Sequence, residues 1–119
     1  RVLFRSVLPA LGRLLQAPRR EALLLVKPQF EVGKARVGKG GVVREPAAHV
    51  DAITAVMAAA QAEGWRPCGV VASPITGPAG NHEYLLWLRQ GEWSADETAA
   101  ETPPGEEAIR RLVAATLAS

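Results

Sequence analysis

"LLLVKPQFEVGKARVGKGGVV", residues 23–43, decides the fold. An apolar run carries one lysine, Lys27, directly into a proline, and a loop of glycines and cations follows. Residues 22–27, "ALLLVK", are continuously apolar until that lysine. Such a run suits a strand covered on both faces, as in a parallel sheet. Lys27 then stands at the carboxyl end of a buried strand, beside a long loop over residues 28–45. That is the edge at which open α/β sheets bind ligands. The competing reading is a strand-end lysine that simply reaches water.

Outward from this stretch the chain alternates helix and strand. Ser6 can cap a helix with Pro9 in its first turn, Leu8, Leu11 and Leu15 share one face of it, and Ala17-Pro18 ends it. Pro46 suits the first position of a second helix, along which Val50, Ile53, Val56 and Ala60 recur at helical spacing until Gly64. "WRPCGVVAS", residues 65–73, reads as a second strand, and "EYLLWL", residues 83–88, as a third. Between them "SPITGPAGN" is a turn-rich loop. Pro103-Pro104-Gly105 breaks the chain before a last helix marked by Ile109, Leu112, Val113 and Leu117. The acidic stretch from Asp96 to Glu101 reads as a linker or loose surface loop. The three apolar runs are expected side by side in one sheet with helices packed against it.

At 119 residues and 48% hydrophobic, the chain is near the size of one domain and can build a core. Its apolar runs are far shorter than the ~18 residues a membrane span requires, and no signal-peptide pattern is present. Cys68 is alone, so no internal disulfide or cysteine metal site is available, which fits a reducing cytoplasm. No His, Cys and acid cluster has metal spacing; His49 and His82 are read without a metal. Residues 1–50 hold ten Lys or Arg against three acids, and residues 51–119 hold four against nine. A basic half can grip a polyanion through its phosphates, though a solvated surface is the bland alternative.

Lys34, Arg36, Lys39 and Arg44 lie in the loop among glycines 33, 38, 40 and 41. That composition predicts a mobile cationic flap over a nucleic-acid path. "GKARVGKG", residues 33–40, comes close to a phosphate-binding P-loop, but Gly40 stands where Ser or Thr must bind magnesium. The segment also leads into "GVVREP" and not into a helix, so nucleotide hydrolysis is disfavoured. Ser73 lacks a His/Asp partner pattern for hydrolase chemistry. Trp65, Trp87 and Trp93 read as core or rim packing. Asn81 can contact substrate or hold the "GPAGN" turn.

Two long segments, "LVKPQFEVGKARVGKGGVVREP" and "GWRPCGVVASPITGPAGNHEYLLWL", resemble the TlyA family of ribosomal RNA 2′-O-methyltransferases. The resemblance covers roughly residues 7–89. It implies the C-terminal part of a Rossmann-like, FtsJ-like methyltransferase sheet with flanking helices, S-adenosyl-L-methionine as cofactor, and ribosomal RNA or a ribosomal subunit as partner, with no membrane. The family's older hemolysin label has no support here, because no segment could span a bilayer. In that family the third strand runs antiparallel to the other two.

Of the family's catalytic set of two lysines, an aspartate and a glutamate, two members carry over: Lys27 and Glu83. The remaining pair, and the glycine-rich turn that holds the cofactor, belong to earlier segments that this sequence does not contain, so no cofactor-binding residue is assigned. Where the family has a strand like "DVSFIS", this chain has "RVLFRS", so residues 1–6 read as an atypical leader. Residues 7–91 then correspond to the C-terminal half of the methyltransferase domain, and 92–119 to an acidic linker and terminal helix. The resemblance also implies chemistry: Lys27 takes the proton of a ribose 2′-OH and Glu83 aims the ammonium. Lys34, Arg36, Lys39, Arg44 and Asn81 are expected to contact RNA. A non-catalytic RNA-binding module built on loop 33–44 is the alternative, and a P-loop nucleotide binder a distant third.

Overall fold

The computed structural model describes residues 19–119. The expected first helix and the leader over residues 1–6 lie outside the described residues. Three strands form one sheet: β1 (Arg19–Val26), β2 (Arg66–Ala72) and β3 (Tyr84–Gly91). A short helix α1 (Pro28–Glu31) follows β1, α2 (Pro46–Ala62) joins β1 to β2, and α3 (Ala95–Ala99) and α4 (Glu106–Ala118) follow β3.

The strand order is β1-β3-β2, with β3 antiparallel to both neighbours. The third apolar run inserts between the first two and runs antiparallel to both, the direction that the family resemblance implies. β1 and β2 point the same way and bring their carboxyl ends to the amino end of β3. Pro67 sits in β2, which is an edge strand in this sheet, at a register irregularity between Pro67 and Gly69, where a missing backbone donor does least harm.

Alternation along the strands sends one set of side chains into a single core. Ala22, Leu24 and Val26 from β1 meet Tyr84, Leu86 and Leu88 from β3. Val50, Ile53, Val56 and Ala60 of α2 and Ile109 and Val113 of α4 pack onto that face, and Trp65 is buried with them, as packing and not as a base-stacking platform. α4 thus belongs to the same core as residues before it and is no appendage. The opposite face differs from the expectation of a strand covered on both sides. Leu23 is 62% exposed, and Leu25 and Val71 are exposed with it. Among the described residues, burial along β1 therefore alternates although the run itself is apolar at every position.

The acidic stretch is also more structured than a loose loop. Ser94 and Glu97 form a reciprocal capping box that starts α3, with Ser94 Oγ accepting from the Glu97 N–H at 3.1 Å and Glu97 Oε1 from the Ser94 N–H at 3.0 Å. The Thr102 N–H donates to the Cys68 carbonyl at 2.7 Å, pinning the following segment along the edge of β2. Glu101, whose side chain is 4% exposed, accepts from Arg66 at 2.9 and 3.0 Å and from Arg89 at 3.1 Å. Arg89 in turn lies over the Trp93 ring at 3.9 Å and the Trp87 ring at 4.6 Å, and pairs with Glu21. This knot ties β1, β2, β3 and the α3 segment together at the end of the sheet remote from Lys27.

Hydrogen bonds from Arg66, then from Arg89, hold the Glu101 carboxyl at about 2, below its ordinary 4.5. A carboxylate with a depressed folded-state pKa stabilises fully above its unfolded value, and that contribution is lost as pH falls toward the folded one. The thermal midpoint is therefore expected to fall on acidification from above pH 4.5 toward pH 2. Glu101→Gln should flatten the slope in that window. Tryptophan fluorescence melts across the range check this. Equal slopes in both proteins would mean the knot contributes nothing to acid stability.

Candidate active site and nucleic-acid interface

The carboxyl ends of β1 and β2 and the amino end of β3 meet at one edge. Val26 pairs with Tyr84, and the next residue outward on each strand is Lys27 and Glu83 respectively. On the other side the Ser73 N–H donates to the Glu83 carbonyl at 2.8 Å. Lys27, Glu83 and Ser73 thus form one row across the three strand ends. Pro28 cannot extend the ladder and starts α1, whose first turn closes on the Lys27 carbonyl through the Phe30 and Glu31 N–H groups.

The two residues carried over from the family pattern are brought together by register, and their side chains take different partners. Lys27 is half-buried, and its Nζ lies 5.6 Å from the Phe30 ring centroid. Glu83 is buried and accepts from Gln29 Nε2 at 2.9 Å through Oε2. No ion pair joins Glu83 to Lys27 among the described residues. Gly77 makes room for this arrangement: a Cβ there would sit 2.5 Å from Glu83 Oε2. Gln29 uses its amide nitrogen on Glu83, while its Oε1 is buried without a hydrogen-bond partner. Gln29 was not singled out in the sequence, although its place two residues after Lys27 in the same segment is a signal that could have found it.

The basic loop, expected as a mobile flap, has local structure of its own. It contains two 3₁₀ turns, Lys34–Arg36 and Lys39–Gly41. Gly40 and Gly41 have φ of 74° and 78°, the left-handed region that disfavours side chains. Neither turn leads into a helix, and the Gly38 N–H is spent on the Val42 carbonyl at 2.8 Å, so the P-loop resemblance ends at the spacing. Arg36 pairs with Asp51 at 2.6 Å and with Glu45 at 2.9 Å, and the Asp51 hydrogen bond leads in raising its pKa. Its charge is largely answered within the protein. Arg44 is exposed but turns back to donate to the Lys39 carbonyl at 3.0 Å. Lys34 and Lys39 are exposed and make no ion pair with a described residue.

Of the two readings of Asn81, contact with substrate or holding the turn, its geometry matches the second, and its side chain faces the protein and not solvent. It is 1% exposed, and its carbonyl accepts from the Gly77 N–H at 2.9 Å. Its side chain accepts from the Val43 N–H at 2.9 Å and donates to the Gly41 carbonyl at 2.8 Å. His49, fully buried, bonds Val43 O through Nε2 at 2.8 Å and the Tyr84 hydroxyl through Nδ1 at 2.9 Å. Burial lowers its pKa, so the neutral ring is favoured. His49 escaped notice as a structural residue, yet it shares the helical stripe of Ile53, Val56 and Ala60. A histidine on an apolar stripe is a buried, satisfied one.

Known proteins are similar to this chain in sequence and fold. The FtsJ-like methyltransferase family pattern matches residues 4–90. The chain is 43% identical over 112 residues to the 16S/23S rRNA (cytidine-2′-O)-methyltransferase TlyA of Mycobacterium tuberculosis, covering 92% of this chain and 40% of that protein. It is 42% identical over 106 residues to YqxC of Bacillus subtilis, which is named as an rRNA methyltransferase, covering 89% and 36%. Among solved structures, a Streptococcus thermophilus protein named as a hemolysin superposes with a TM-score of 0.77 at 31% identity over 95% of this chain and 38% of that one. A Lactococcus lactis protein so named superposes with 0.68 at 32% over 91% and 50%. The chain thus spans about two-fifths of the length of the curated relatives it matches. No helix among the described residues is long and apolar enough to cross a membrane.

Proposed function

This chain belongs to the FtsJ-like methyltransferase family, and on that premise we propose that it forms the ribose-facing part of an RNA 2′-O-methyltransferase acting on ribosomal RNA in the cytoplasm. One observation supports this above the rest: Lys27 and Glu83 occupy facing positions just past the last β1–β3 pair, with an exposed cationic loop leading away from them.

The family implies S-adenosyl-L-methionine. The described residues do not by themselves fit it: they hold no glycine-rich strand-to-helix turn, and in the nearest glycine-rich loop the Gly38 N–H is spent on the Val42 carbonyl and Arg36 and Arg44 are engaged internally. No step is therefore routed through the cofactor. What this chain supplies is the substrate side. A ribose hydroxyl is a poor nucleophile until its proton is leaving, and a lysine amine at the strand edge can take that proton. Glu83, held by Gln29 and packed against Gly77, supplies the carboxyl group at the facing strand-end position. It orients the ammonium once the proton has moved. Lys34 and Lys39, with Arg44 beside them, hold the RNA backbone; Arg36 serves mainly to fasten the loop to α2.

Salt dependence of RNA binding tests the substrate side. Each phosphate contact on a single strand contributes ~0.7 to the log–log slope of affinity against salt. Lys34→Ala/Lys39→Ala is expected to flatten the slope by about 1.4, and Arg36→Ala to change it far less. The measurement is a binding isotherm series over salt with a short single-stranded RNA. Equal flattening in both variants would place Arg36 on the RNA; no flattening in either would remove the loop from RNA binding. Methyl transfer to ribosomal RNA by a complete protein carrying this chain tests the chemistry.

A further inference from the structure

We propose that His49 and Asn81 are positioning residues that preset the shape of the basic loop for the RNA backbone. This rests on the reading that the loop takes RNA phosphates. Val43, 2% exposed, has both of its backbone polar groups captured by buried side chains from distant parts of the chain. Asn81, from the loop ahead of β3, takes its N–H, and His49, from α2, its C=O.

The chemistry of this arrangement leaves one assignment of protons. The Val43 carbonyl only accepts, so His49 Nε2 carries the hydrogen. Nδ1 then presents its lone pair, and the Tyr84 hydroxyl donates to it. Asn81 spends its amide nitrogen on the Gly41 carbonyl and its oxygen on the Val43 N–H. Each bond has a donor facing an acceptor. A buried polar network satisfied in this way holds one arrangement, because any other leaves a desolvated group unpaired.

The segment so held is the one that needs holding. Gly40 and Gly41 make the Lys39–Gly41 turn permissive, and only its exit is clamped: Asn81 grips Gly41 and Val43, His49 grips Val43. Lys39 and Arg44 lie immediately outside these anchor points and are exposed. Freezing a permissive loop costs binding free energy when the ligand must do it. Here the fold has done it in advance. Asn81 also lies two residues before Glu83, and its carbonyl closes the turn at Gly77, the residue packed on the Glu83 carboxylate. The same residue therefore sets the loop and the strand-end carboxylate relative to each other.

The test uses the full chain and a short single-stranded RNA, with Asn81→Leu, His49→Leu, His49→Gln and Lys34→Ala/Lys39→Ala. Glutamine can reproduce the Nε2–H donor to Val43, so His49→Gln is the conservative variant. Asn81→Leu and His49→Leu are expected to weaken RNA binding on the order of tenfold while keeping the salt slope of the parent, since the cations are still present. His49→Gln should regain most of that loss. Hydrogen exchange should quicken at Gly38–Val43 and stay slow along β3 in the leucine variants, which a general loss of stability would not produce. If Asn81→Leu does not fold, the His49 pair decides. Unchanged RNA affinity in folded leucine variants, or no recovery with glutamine, overturns the clamp while a weakened Lys34→Ala/Lys39→Ala keeps the loop as an RNA grip. Unchanged binding in Lys34→Ala/Lys39→Ala overturns the loop reading and the clamp with it.

Discussion

Lys27→Ala, in a complete enzyme carrying this chain, is expected to lower methyl transfer by ~10²–10⁴-fold, the usual contribution of a positioned general base. The loss should appear in kcat. KM for RNA should move little, because the exposed cations of the loop stay in place, and cofactor affinity should be nearly intact. The structural ground is the row formed by Lys27, Glu83 and Ser73 across the strand ends. Alanine there keeps the backbone: Lys27 holds the first turn of α1 through its carbonyl and not its side chain. Glu83→Gln should cost less, since a glutamine can still accept from Gln29. Transfer of a labelled methyl group under saturating RNA makes the measurement. A Lys27→Ala enzyme with near-normal turnover would remove Lys27 from the mechanism.

Leu86→Ala should be among the most damaging apolar substitutions for the fold. Leu86 is fully buried in the central strand, with Leu24 paired on one side and Val70 on the other. Truncating such a leucine costs about 2–5 kcal/mol through lost burial and the cavity left behind. For a domain of this size that corresponds to a fall of ~10 °C or more in the thermal midpoint. Leu23→Ala is the matched control. Leu23 is as apolar and one strand away, but it lies on the opposite face of the sheet and is 62% exposed. It should change stability by under ~0.5 kcal/mol and lessen self-association. Comparable losses in both variants would mean that the second face is covered in solution.

Much of the candidate site's placement was legible along the chain. An apolar run ending at Lys27-Pro28 located the strand end, and the spacing of Val50, Ile53, Val56 and Ala60 located the helix that covers it. The family resemblance named Glu83. What was not legible is what each polar side chain does with its partners. Arg36 and Arg44 look equivalent to Lys34 and Lys39 in a basic loop. Folding answers Arg36 with Asp51 and Glu45 and turns Arg44 onto a carbonyl of its own loop. Asn81 and His49 carried no pattern of their own as a pair, because they meet only at the backbone of Val43.

The sequence by itself determined where the three strands and the two long helices lie, since those depend on neighbours three or four residues away: apolar spacing, prolines and glycines; it did not mark the short helices α1 and α3, nor the start of β1 at Arg19 and the end of β3 at Gly91. It also contained the capping box of Ser94 and Glu97, a local signal passed over beneath the acidic composition around it. Tertiary structure alone decided the order β1-β3-β2, which face α2 and α4 cover, the Arg66–Glu101–Arg89 knot and the double capture of Val43. Each of these joins groups distant along the chain. A buried donor or acceptor must find a partner wherever packing brings one, and no local pattern records which one that is.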